Sequence, residues 1–84
     1  MLPVKQGARM DRRIIEPAIR VILAEINTKL GEASRIAKAA DACAAAGSIS
    51  EGVHVSMDIE QLLYETGRLQ DAVSLLNRLS KEED

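Results

Sequence analysis

Few residues in this sequence are equipped for chemistry. His54 is the only histidine and Cys43 the only cysteine. An imidazole titrates near pH 6.5 and suits acid–base or phosphoryl-accepting work. Phospho-accepting histidines project from the middle of a helix, whereas the pattern places His54 where a loop gives way to a helix, so an exposed or capping histidine is expected. "AKAADACAAAG", residues 37–47, surrounds Cys43 with alanine. A nucleophilic thiol needs an activating base and an electropositive, accessible site. In this setting a small apolar filler is expected, and one cysteine allows no disulfide within the chain. The acids at 58, 60, 65 and 71 do not repeat as the Glu-x-x-His sets of bundle metal sites. No glycine-rich phosphate loop occurs. The expectation is therefore a protein that is not an enzyme, with no catalytic, metal or cofactor residues.

The remaining chemistry is charge. Lys5, Arg9, Arg12 and Arg13 form a basic arm that could contact phosphates, with affinity falling steeply as salt rises. Asp11 interrupts the arm, no helix-turn-helix pattern follows it, and the pI of about 5.4 is acidic. Charge is also uneven along the chain. Residues 1–46 hold eight Lys/Arg and five acids, residues 47–84 three and eight, so the halves are +3 and −5. Laid side by side, they attract weakly at physiological salt.

The elements that must position these residues are helices. Apolar residues make up 46% of the 84, yet there is no Trp or Phe and one Tyr. A core of Ala, Ile, Leu and Val is thin, and a chain this short buries a modest share of its surface. Long, closely packed helices sharing an interface with a second chain suit such a composition. Residues 1–10, broken by Pro3 and Gly7, read as a flexible N-terminal tail; residues 11–81 as one helical domain; residues 82–84 as an acidic tail. No apolar run resembles a signal peptide or reaches the ~20 residues of a membrane span, so a cytoplasmic protein without a membrane part is expected.

A long first helix is predicted over about 17–46. Asp11 can cap a short turn ahead of it, and Pro17 suits a first helical position. Ile15, Ile19, Ile22, Leu23, Ile26, Leu30, Ala33, Ile36, Ala37, Ala40 and Ala44 fall on one face. Gly31 is its weak point. The alanine-rich second half offers a close helix–helix seam around Ala40, Cys43 and Ala44. Gly47 stands where a C-terminal cap belongs, and 47–52 is turn chemistry. A second helix is predicted over about 55–81, with Ser56 a fair N-cap. Its apolar stripe turns by roughly 90° across Gly67, more than the drift of about 20° per heptad explains, which suggests a bend or turn at residues 66–68. A continuous helix is favoured over a helix–turn–helix, because one glycine is a modest penalty. Residues 62–79, LLYETGRLQDAVSLLNRL, resemble the central turn of a tetratricopeptide repeat, with Gly67 closing a helix, Leu69 apolar and Ala72 small. The resemblance implies a turn at Gly67, and there is no second copy at the ~34-residue period.

The fold expected is thus all-α, an antiparallel helical hairpin pairing with its own copy as a homodimeric four-helix bundle. Ile19, Ile22, Ile26, Leu30, Ala40, Ala44, Leu62, Leu69, Val73 and Leu76 are its candidate dimer or partner interface. Val21, Leu63 and Leu75 remain for a further partner. The function expected is a non-enzymatic protein–protein interaction module: an adaptor, a small chaperone or a regulatory subunit. The alternative is a small nucleic-acid-associated regulator using the basic arm.

Overall fold

Asp11 starts the first helix. Its carboxylate accepts the Arg13 backbone N–H at 2.8 Å, satisfying one of the unpaired donors of the first turn. The computed structural model describes residues 11–81, and Lys5 and Arg9 of the basic arm, with both expected tails, lie outside them. α1 runs Arg12–Ala45, α2 Ile49–Ser56 and α3 Ile59–Lys81. Both α2 and α3 pack along α1, which makes an all-α hairpin with a bent second arm. The rod is 16 by 15 Å across, two helices thick.

α1 begins five residues before the expected start, and Pro17 lies inside it. Proline removes one i→i−4 bond and crowds the preceding turn. Here its ring is exposed, on the helix face away from α3. Helices curve so that solvent-side bonds lengthen, and the loss is least damaging on that side. Gly31 does not break α1 either.

The turn is a complete glycine cap. Gly47 has φ of +95°, and its N–H bonds to the Ala44 carbonyl at 3.0 Å, while the Ser48 N–H reaches the Cys43 carbonyl at 2.9 Å. These are the two bonds of the Schellman motif, and its positive φ selects glycine. The stretch 47–52, expected as loop, already contains the first turn of α2, closed by Gly52 N–H on the Ser48 carbonyl at 2.9 Å. His54 therefore sits within α2. Ser56, expected as an N-cap, ends α2, and its hydroxyl donates back to the Val53 carbonyl.

The second arm bends at Met57–Asp58 and runs straight through Gly67. Met57 keeps helical angles, and i→i−3 bonds such as Asp58 N–H to the Val55 carbonyl (3.3 Å) span the bend. Burial shows why no break is needed at Gly67. On α1, positions 15, 19, 22, 26, 29, 33, 36, 40 and 43 are buried or half-buried; on the second arm, 52, 55, 59, 62, 66, 69, 73, 76 and 80. Both series alternate steps of three and four, the heptad rule of a left-handed coiled coil. α2 and α3 share one frame across the bend. The expected 90° rotation came from counting Leu63 in the stripe before Gly67 and Leu79 in the stripe after it, whereas the two flank one continuous seam on opposite sides.

The alanine-thin half of α1 is a close seam, and Gly52 is what it admits. A Cβ added at Gly52 would lie 2.7 Å from the Ala40 carbonyl oxygen and 3.6 Å from the Ala44 Cβ. At Gly67 a Cβ meets nothing within 4 Å. Opposite outcomes follow for one substitution. Gly52→Ala should lower stability by about 1–3 kcal/mol through overpacking, and Gly67→Ala should raise it by about 1 kcal/mol through helix propensity. Urea denaturation at one fixed chain concentration checks both.

Candidate functional site

Heptad position decides which side chains the rod offers to a partner. Residues on either side of a seam in an antiparallel pair face two different flanks, and each flank draws on equivalent positions of both helices. Gly52 beside Ala40 and Ala44, and Lys29 beside Glu65, fix the register. Leu30 is then level with Leu63 and Tyr64, and Ile15 with the end of α3.

One flank is charged. Lys29 occupies a seam position, half-buried, and its ammonium donates to the Glu65 carboxylate at 2.7 Å, with Glu25 at 3.6 Å. The Gln61 amide donates to the other Glu65 oxygen at 2.8 Å. These bonds hold the Glu65 carboxyl below its ordinary value, the Gln61 bond first and Lys29 second, and the Glu65 bond raises Lys29. Glu25, Lys29, Glu65, Arg68 and Leu69 line a shallow depression here. Arg68 lies over the Tyr64 ring, 5.8 Å from its centre, and donates to the Tyr64 hydroxyl at 3.1 Å. Beside Lys29 in the seam, the Thr66 hydroxyl is buried without a hydrogen-bond partner.

The opposite flank is nearly free of charge along its middle. The helical positions give it Leu23, Leu30, Ala37 and Ala44 from α1 and Leu63 from α3, with Asn27, Ser34, Gly67, Gln70 and Ser74 around them. Leu23, Leu30 and Leu63 remain 45–54% exposed. A second apolar area lies at the open end, where α1 begins and α3 ends. Ile14 and Val21 of α1 and Leu75 of α3 share the charged flank's side there, beyond its charges, and are 47–69% exposed. Pro17, Arg20, Val21 and Ala24 border a groove beside it.

The candidate interface residues divide accordingly. Ile19, Ile22, Ile26, Ala40, Ala44, Leu62, Leu69, Val73 and Leu76 are half-buried in or beside the hairpin's own seam, whereas Leu30 is exposed beside it. Of the basic arm, Arg12 and Arg13 are exposed at the start of α1, and Arg13 is paired with Asp11 at 3.0 Å. That pairing holds Asp11 below and Arg13 above the usual range. Cys43 is half-buried in the seam and His54 exposed on α2. Among the described residues no group of three His, Cys, Asp or Glu side chains comes together to hold a metal, and no helix is long and apolar enough to cross a membrane. No protein-family model, curated protein or solved structure matches this chain. Sequence reading pairs Lys29 with Glu25 and missed its pairing with Glu65 across the seam, although a lysine on the heptad line of isoleucines was the available signal.

Two measurements probe this polar layer. Thr66→Val should raise stability by about 1 kcal/mol, because it replaces an unsatisfied buried hydroxyl with a methyl of the same shape. Glu65 has a lower pKa folded than unfolded, so its contribution is present above the ordinary glutamate value of 4.5 and is lost as pH falls below it. Lys29 is raised above 10.5, so its share persists to alkaline pH and is lost beyond that value. The gap in urea midpoint between wild type and Glu65→Gln should therefore shrink between pH 7 and pH 3.

Proposed function

We propose that this protein is a non-enzymatic helical interaction module that works as a homodimer, two hairpins joining as a four-helix bundle. The observation that carries it is the uncharged flank, where Leu23, Leu30 and Leu63 stand 45–54% exposed beside the seam. Helices of bundles are apolar at the two seam positions and at one flanking position as well. α1 follows that pattern through Leu23, Leu30, Ala37 and Ala44. A monomeric rod two helices thick leaves its seam residues half-exposed, and a second hairpin on this flank would enclose them.

The same arrangement leaves the open-end area of Ile14, Val21 and Leu75 facing outward on each hairpin, for a different protein. A dimer of this kind presents two such areas, which suits an adaptor, a small chaperone or a regulatory subunit. Nucleic-acid binding through the basic arm is the less favoured reading, because Asp11 already engages Arg13.

Light scattering at micromolar concentration should give the mass of a dimer. Leu30→Glu combined with Leu63→Glu should raise the dimer dissociation constant by about 100-fold, the scale of central interface residues. Val21→Glu, on the other side of the rod, should leave it unchanged. A compact monomer at every concentration is the result that would overturn the proposal.

A further inference from the structure

A two-fold axis can place a second copy on the uncharged flank in two ways. The rods can run parallel, with α1 over the partner's α3. They can instead be reversed, with α1 over the partner's α1. Charge separates the two. Among the described residues, the turn end (38–60) carries Asp41, Glu51, Asp58 and Glu60 against Lys38. The open end (11–20 and 71–81) carries Arg12, Arg13, Arg20, Arg78 and Lys81 against Asp11, Glu16 and Asp71. Parallel rods stack like charge on like at both ends; reversed rods set opposite charges together.

We propose that the second copy lies antiparallel, its two-fold axis crossing Leu30 and Leu63, so that each acidic turn end covers the partner's basic open end. The inference rests on the dimeric reading above and adds its orientation. Steric pattern agrees with charge. Leu30 and Leu63, level with one another, sit at the axis as the centre of the apolar contact. Leu23 and Ala37 lie seven residues to either side of Leu30, so each large side chain falls on a small one of the partner. Arg20 and Asp41 lie ten and eleven residues to either side of Leu30, exposed and on one face of α1. Each Arg20 therefore reaches the partner's Asp41 at the rim, twice per dimer. In the parallel arrangement Arg20 has Ser74 opposite it, and the basic ends coincide.

The test places a spin label at the turn. Ser48 is exposed and its side chain makes no capping bond, so Ser48→Cys in a Cys43→Ala background carries the label with little disturbance. Antiparallel rods separate the two labels by about 50 Å at 1.5 Å per residue, whereas parallel rods bring them within about 25 Å. Charge reversal gives an independent readout. Arg20→Asp and Asp41→Arg should each raise the dimer dissociation constant about fivefold, and the double reversal should restore it. A short label separation in a dimeric protein, or a double variant no better than the single ones, overturns the orientation and leaves the dimer standing. A labelled protein that is monomeric at every concentration overturns both.

Discussion

Two helices side by side have no interior. Each seam side chain is covered by the facing helix and left open on at least one flank, and this constraint governs the rest of the molecule. Apart from Ile15 and Ala33, no apolar side chain among the described residues is fully enclosed. Burial of apolar area drives folding, so a rod of this kind has to gain stability from close approach along the seam, from a fixed register, and from whatever covers its flanks.

Close approach is concentrated at the turn. Alanines on α1 and Gly52 on α2 let the two backbones come near enough that even a methyl group would collide with a carbonyl oxygen. Farther along, bulkier isoleucines and leucines hold α1 and α3 apart. Between these regions sits a polar layer of Lys29, Glu65 and Thr66. A charged side chain at a seam position sacrifices apolar contact, and its best-attested return is a single register. The glycine contact and the ion pair fix the same alignment from two places, so a one-heptad slip would break both.

The flanks share out the outward roles. The ion-pair flank is polar along its middle and accommodates water. The other flank has leucine and small uncharged residues, and water gains little from wetting it. The open-end apolar area is separated from that flank by the width of the rod. These two apolar areas on opposite sides of the rod are the physical basis of the proposed interaction module. His54 is exposed on α2, and Cys43 is half-buried in the alanine-rich seam.

Much of this was legible in the residues. The helical class followed from periodicity, the first helix's end from Gly47, and the close seam from the alanine run. These are local signals, written in φ preferences, short-range hydrogen bonds and side-chain volume. Where the second arm bends and what holds the register were decided by tertiary structure. Gly67 weakens a helix by about 1 kcal/mol in isolation, but its neighbours Thr66 and Leu69 both face α1, and packing outweighs so small a penalty. Pro17 stayed inside α1 because its ring points to solvent, a fact that depends on where α3 lies. The same holds for the flanks. Sequence assigns Leu30 and Ile26 to one stripe, and only the position of α3 makes one of them exposed and the other seam, because exposure belongs to the pair of helices and to neither alone.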